Sequence, residues 1–442
     1  MLCTADLRAL AVGSTQRHTE VVIEHSGPEE RTYLVGIRTE EESGEAGALL
    51  AELRALTETL GLETVGQETV RVRDISPRYF LGSGKAEEIA ERARDLEVDL
   101  IVFDEDLSPS QQRNWEQLTK CSVTDRQGVI IEIFAERAQT REARLQVDLA
   151  RLEYHLPRLT SAWSHLSRQR GGKRGTRGEG ETQLEVDRRI VQQRIATLKR
   201  ELRGVLGQRA ISRRQRNELP MPNGSIVGYT NAGKSSLLRA LTGSNVLVAN
   251  KLFATLDPAT RRLELEGGQE VLLTDTVGFI RKLPHGLVDA FKSTLEETLL
   301  ASFLLHVIDA SDASAIDHAR ITREVLLEIG SRDKPTIEVL NKIDDVTPEN
   351  RDMVRLAFPD AITVSALTGE GLDELRRRIR EVVSQAYARV DVAIPHARYD
   401  LAALIHRTGR VLEEQHVDGT VNIRADVPER TRRMVEEYTS LE

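Results

Sequence analysis

Residues 228 to 235 read Gly228-Tyr229-Thr230-Asn231-Ala232-Gly233-Lys234-Ser235, a complete G-x-x-x-x-G-K-S phosphate loop. No other segment restricts the fold as tightly. Such a loop works only between a strand that delivers it and a helix whose N-terminus faces the phosphates, so it demands an α/β layer around it. The flanks comply: Ser225-Ile226-Val227 is a short apolar strand, and Ser235-Ser236-Leu237-Leu238-Arg239-Ala240-Leu241 opens with helical periodicity. Small residues let backbone N–H groups from Gly228 to Gly233 converge on a β-phosphate, Lys234 reaches the β- and γ-oxygens, and the Ser235 hydroxyl suits Mg²⁺, with Ser236 beside it.

Further parts of a nucleotide switch follow in order. Val271-Leu272-Leu273-Thr274-Asp275 is an apolar strand ending in an acid, then come Thr276-Val277-Gly278. Asp275 at the strand end is expected to hold Mg²⁺ through water, and Gly278 to donate its N–H to the γ-phosphate. Phe253-Ala254-Thr255-Leu256-Asp257-Pro258 lies between, without helical periodicity, and suits a loop that closes a threonine hydroxyl onto Mg²⁺. Thr255 is the first candidate and Thr260 the second. Lys234, Thr255 and Gly278 form the expected catalytic set.

Asn341-Lys342-Ile343-Asp344 follows the strand-like Ile337 to Leu340. A carboxylate at Asp344 can accept both the ring N1–H and the exocyclic amine of guanine, and adenine offers neither donor there. Asn341 is expected at the other base edge and the Lys342 stem over the ring. Ser365-Ala366, after Ala361 to Val364, would add a backbone N–H to the guanine O6. The ligands implied are GTP and GDP. Phe279 follows Gly278, where Ras-like GTPases carry the glutamine that orients water, so slow unaided hydrolysis is expected. Asn231 is a candidate contact for K⁺.

Charge is unevenly spread. The chain carries a formal −9, which argues against general adhesion to nucleic acid, yet residues 168–216 hold fifteen Lys or Arg against five Asp or Glu. Leu145, Leu149, Leu152, Leu156 and Leu159 recur in steps of four and three, as do Val191, Ile195, Leu198, Leu202 and Val205. Two helices with matching seams make an antiparallel hairpin joined by Ser161 to Thr182. Its glycine-rich tip presents Arg170, Lys173, Arg174 and Arg177 as RNA contacts.

The domain plan is a loose arm over 1–31, a small α/β domain over 32–135, the hairpin over 136–218, the GTP-binding domain over 219–388 and a small α+β domain over 389–442. In the first α/β domain Gly82-Ser83-Gly84-Lys85 reads as a turn capping a helix. In the last, a helix is expected from Asp400 to Leu412 and a strand from Thr420 to Ala425. Cys3 and Cys121 offer neither a disulfide framework nor metal spacing, which suits a reducing cytosol. The apolar run from Leu299 to Ile308 is too short to span a bilayer.

Taken with their order along the chain, Gly175-Thr176-Arg177-Gly178-x-Gly180-Glu181-Thr182-Gln183-Leu184-Glu185, Phe253 to Pro258 and the phosphate loop resemble the HflX family of translational GTPases. The likeness begins near Tyr33 and includes Gly82 to Lys85 and Arg137-Ala138-x-Thr140. The resemblance implies binding to the large ribosomal subunit and its ribosomal RNA, the hairpin tip near the peptidyl-transferase centre, and GTP-dependent splitting of stalled ribosomes. It also assigns Thr255 to Mg²⁺. A monomer that is cytoplasmic and ribosome-associated is expected, without stable membrane insertion though with peripheral membrane contact left open. The competing reading is a non-catalytic anti-association or hibernation factor holding GTP as a structural ligand.

Overall fold

The structure is a computed structural model that describes residues 30–38, 46–159, 179–216, 221–244, 252–253, 255–266, 269–282, 297–331, 333–385, 387–417 and 419–439. Arg170, Lys173, Arg174 and Arg177 of the expected RNA-binding tip, and Ala254, lie outside the described residues. The described residues fall into two compact units, one ending at Val205 and the other beginning at Leu206.

The first unit opens with a parallel four-stranded sheet. Its strands are β1 (Arg31–Arg38), β2 (Glu63–Arg71), β3 (Leu100–Phe103) and β4 (Ser122–Asp125), in the order β2-β1-β3-β4. Tyr33 to Ile37 of central β1 and Ile101 to Phe103 of β3 are buried without alternation, because helices cover both sheet faces. The covering helices are α1 (Ala46–Thr59), α2 (Ser83–Asp95), α3 (Pro109–Thr119) and α4 (Arg126–Arg137). Gly82 caps α2, and Lys85 is paired with Glu68 and Glu88 at 2.9 Å each. That lysine serves carboxylates of its own domain. At the start of α4, Arg126 is fully buried and bonds Asp104 at 2.8 Å and Glu52 at 2.5 Å.

Helix α5 (Arg141–His155) opens on Thr140, whose hydroxyl accepts from Ala143 N, and α6 runs from Glu179 to Arg216. The two pack through one apolar seam made of Leu145, Leu152 and Leu159 with Val191, Ile195 and Leu198. Leu149, Leu156, Leu202 and Val205 flank it, and Glu153 pairs with Lys199 at 2.7 Å. The base of α5 is tied to the sheet. Asp125, wholly buried at the end of β4, accepts from the Tyr154 hydroxyl at 2.9 Å and from Arg158 at 3.0 Å.

The second unit holds a six-stranded sheet in the order β10-β9-β8-β5-β7-β6. Its members are β5 (Asn223–Gly228), β6 (Ala259–Glu264), β7 (Glu270–Asp275), β8 (Phe303–Asp309), β9 (Thr336–Asn341) and β10 (Ile362–Thr363). All neighbours are parallel except β6 with β7, which form an antiparallel pair. Helices α7 (Lys234–Thr242), α8 (Ala315–Glu328), α9 (Pro348–Ala357) and α10 (Leu372–Gln385) belong to this layer. One core joins Leu238 and Leu241 of α7, Leu273 of β7, Leu305 and Val307 of β8, Val339 of β9 and Ile379 of α10.

A three-stranded antiparallel sheet completes the chain, ordered β11-β13-β12, from β11 (Tyr387–Pro395), β12 (Arg410–Val417) and β13 (Thr420–Pro428). Helices α11 (Tyr399–Thr408) and α12 (Glu429–Val435) cover one face. The helix expected to reach Leu412 stops at Thr408. A Cβ at Gly409 would lie 2.7 Å from the Asp426 carbonyl oxygen, and the chain turns there into an edge strand. β11 begins at Tyr387, two residues before the expected boundary.

Candidate functional site

The phosphate loop leaves the end of β5 between two partners that arrive later in the chain, β7 and β8. Three residues of the loop, Gly228, Asn231 and Gly233, adopt positive φ, and α7 starts at Lys234. Gly233 has a packing reason as well: a Cβ there would meet the Asn341 amide nitrogen at 2.2 Å. Lys234 is buried and its ammonium donates to the carbonyls of Gly228 at 3.2 Å and Tyr229 at 2.8 Å. Burial pushes its pKa down to about 8, against the opposing pull of the Asp275 charge.

Three oxygens meet beside it. The Ser235 hydroxyl lies 2.5 Å from Asp275 Oδ2, the Thr255 hydroxyl 2.9 Å from the same oxygen, and the two hydroxyls 2.7 Å from each other. Asp275 is buried, its pKa raised by desolvation, and its Oδ1 has no hydrogen-bond partner among the described residues. Hard oxygens gathered on one point, with a buried carboxylate oxygen left over, are the donor set a Mg²⁺ ion takes. Thr260 stands elsewhere, bonded to Thr274 across the β6–β7 ladder at 2.9 Å. Phe253 and Leu256 are buried and Asp257 is half-buried. The Thr276 hydroxyl donates to the Ile226 carbonyl at 2.7 Å, so it braces β5, while Val277 is half-buried.

Gly278 sits against the loop. A Cβ added to it would fall 2.8 Å from Thr230 Cα and 2.9 Å from the Lys234 ammonium nitrogen. Phe279 then turns inward, packing on Val227, Ala301, Leu304 and Leu326. Its N–H donates to the Gly228 carbonyl at 3.1 Å, and its carbonyl accepts from Thr230 N at 2.8 Å. Tyr229 is clamped too: its ring stacks on His318 at 3.8 Å, and its hydroxyl accepts from Arg281 N at 2.9 Å.

The residues expected to form the base pocket lie at the ends of β9 and β10. Asn341 is buried, donates its amide to the Ala232 carbonyl at 2.9 Å and accepts from Ala366 N at 3.1 Å. Both ends of its amide thus join the phosphate loop to the Ser365-Ala366 loop, and a second N–H and a second lone pair remain on the same group. Lys342, at φ 63°, anchors its ammonium on Asp309 at 2.6 Å. Asp309 escaped the sequence reading, although an acid ending the apolar run of β8 repeats the pattern of Asp275. Ile343 is buried in a short 3₁₀ turn that leaves Asp344 exposed. Ser365 is buried, its hydroxyl accepting from Thr368 N at 3.0 Å. Asn231 and Ser236 are at the surface and half-buried respectively.

Family models match the chain in four pieces. They are described as GTP-binding GTPase N-terminal over residues 48–135, GTP-binding GTPase Middle Region over 137–216, 50S ribosome-binding GTPase over 223–342 and HflX C-terminal domain over 355–438. The GTPase HflX of Akkermansia muciniphila is 46% identical over 412 residues, spanning 90% of this chain and 94% of that protein. That of Escherichia coli is 42% identical over 384 residues, spanning 86% and 89%. Among solved structures, a GTP-binding protein from Sulfolobus solfataricus in complex with GDP aligns with 80% of this chain and 99% of its own. Its identity is 26% and its TM-score 0.42.

Proposed function

The chain belongs to the HflX family of GTPases, and from that premise we propose that it acts on the large ribosomal subunit, splitting or rescuing stalled ribosomes in its GTP state. Family membership establishes GTP hydrolysis; the ribosomal role is the further step. The observation that carries it is the paired helices α5 and α6, with one shared apolar seam and a sequence that places Arg170, Lys173, Arg174 and Arg177 between them. A Gly-rich basic tip on a stiff stem suits contact with folded RNA, where backbone can approach phosphate closely.

The reading includes hydrolysis that is slow without the ribosome, because Phe279 is built into the core and offers no group to orient water. Ser235 and Thr255 would hold Mg²⁺ directly and Asp275 through water, a set supported by their convergence. The ion, when bound, neutralises phosphate charge. The chain's own contributions are the Lys234 ammonium at the phosphates, the Gly278 N–H at the γ-phosphate and the Asp344 carboxylate at guanine. Asn231, exposed at positive φ, is the place for a K⁺ contact. Single-turnover hydrolysis with and without large subunits tests the reading, alongside sedimentation of 70S ribosomes with a non-hydrolysable GTP analogue. Acceleration by orders of magnitude and a shift to free subunits are expected; a rate indifferent to ribosomes would overturn it.

A further inference from the structure

The segment that follows Gly278 is fastened to the phosphate loop at successive points. The Phe279 N–H donates to the Gly228 carbonyl at 3.1 Å, the Thr230 N–H to the Phe279 carbonyl at 2.8 Å, and the Arg281 N–H to the Tyr229 hydroxyl at 2.9 Å. The first two bonds join backbone to backbone. The third depends on a single side chain. Gly278 stands immediately before these anchors, so close to the loop that an added Cβ would meet Thr230 Cα at 2.8 Å and the Lys234 ammonium nitrogen at 2.9 Å. Its place is set by how the residues after it are held.

The phenol is held from its other side as well. Tyr229 is buried, and its ring lies flat on the His318 imidazole, centroids 3.8 Å apart and planes 7° from parallel. His318 belongs to the first turn of α8, and its neighbour Asp317 places a carboxylate 3.7 Å from the Arg281 guanidinium. One helix start therefore touches both partners of the Tyr229–Arg281 bond. Core packing accounts for the ring, since a phenylalanine would fill nearly the same space. It does not account for the hydroxyl, which sits where the backbone N–H of Arg281 needs an acceptor.

We propose that Tyr229, steadied by His318, is a positioning residue for GTP hydrolysis. Its hydroxyl fixes the backbone at Arg281 and through it the Gly278 N–H, a role that rests on the reading of Gly278 as the γ-phosphate donor. A donor already aimed where phosphoryl charge develops needs no reorganisation, and a displacement near 1 Å can cost about 10²-fold in rate. No bond at Tyr229 is made or broken, so its contribution is geometric. Because the Gly278 N–H acts on a γ-phosphate alone, loss of its position should penalise GTP and spare GDP.

Full-length parent, Tyr229→Phe, His318→Ala, His318→Phe and Gly278→Ala are compared without ribosomes. Single-turnover hydrolysis at saturating GTP is read beside affinities for GDP and for a non-hydrolysable GTP analogue. Tyr229→Phe keeps the ring and removes the acceptor. Its rate should fall roughly ten- to a hundredfold and its analogue affinity several-fold, with GDP affinity within about threefold of the parent. His318→Ala should behave likewise, and His318→Phe, which restores a ring against Tyr229, should recover most of the rate. A parental rate in Tyr229→Phe or His318→Ala would overturn the proposal. So would GDP affinity lost in step with the rate, which marks a structural role, or a His318→Phe variant as slow as His318→Ala. Gly278→Ala separates the two levels. If it hydrolyses and binds the analogue as the parent does, the γ-phosphate reading of Gly278 falls and this role falls with it. If it is impaired while Tyr229→Phe is not, only the role of Tyr229 is lost.

Discussion

Lys234 illustrates what a nucleotide site demands of single residues. Its ammonium is enclosed by protein and its pKa is pushed down to about 8 from an ordinary 10.5. Phosphates need the charged form. Between about pH 8 and 10.5 nucleotide-free protein should therefore take up a proton on binding GTP, and affinity should fall by up to roughly tenfold per pH unit. Over the same window the unfolded chain holds more protons than the folded one, so nucleotide-free stability should rise with pH. Calorimetry at pH 9 in buffers of different ionisation enthalpy reads the uptake directly; none would mean that the lysine is charged in the free protein. Asp344→Asn should weaken GTP binding by about 2–4 kcal/mol and improve xanthine nucleotides, because it removes one of two acceptors. Unchanged GTP affinity in a competition assay would exclude Asp344 from the base pocket. The sequence pattern pointed to Ser235 as a helix-start hydroxyl and Asp275 as a strand-end carboxylate, and the structure sets the two 2.5 Å apart. The pattern could not show that Asn341 bonds Ala232 and Ala366, or that Thr230 carries a hydroxyl without a partner among the described residues. Both depend on which loops meet in space.

At the level of elements, legibility followed burial. The continuous apolar stretches of β1 and β3 and the heptad-like seams of α5 and α6 were readable because each buries a regular set of side chains. β12 was not: seven of its eight residues run Val-Leu-Glu-Glu-Gln-His-Val, it has one sheet neighbour, and most of it faces water. An edge strand of that kind carries no periodic apolar signal, and the turn into it is dictated by the Asp426 carbonyl, some distance along the chain. The buried ion group at the head of α4 was equally hidden. Arg126 holds Asp104 and Glu52, and removing the cation would leave those carboxylates without it in a dry setting. Arg126→Met should cost about 3–5 kcal/mol. Urea unfolding of the full chain should show the N-terminal unit melting first while GTP affinity is retained; a variant as stable as the parent would show that the three groups are not mutually dependent.

On the scale of the whole molecule, the acidic total of −9 conceals a basic segment that is concentrated between and along two helices. If the tip meets ribosomal RNA, replacing Arg170, Lys173, Arg174 and Arg177 with Ala should lower ribosome affinity. It should also flatten the logarithmic salt dependence by about one unit per charge removed, roughly 0.7–0.9 each. GTP affinity measured on the same protein should stay near the parental value. A four-fold variant that pellets with ribosomes at every salt concentration as the parent does would assign the segment to a connector. A last consequence concerns the time at which this protein becomes able to work. The Asn341 amide grips the Ala232 carbonyl from 109 residues further along the chain, and β5 acquires both flanking strands only after β7 and β8 have been made. During synthesis the phosphate loop emerges long before anything holds its shape. A nascent chain therefore carries the full G-x-x-x-x-G-K-S motif, complete at Ser235, without this anchor until Asn341 leaves the exit tunnel.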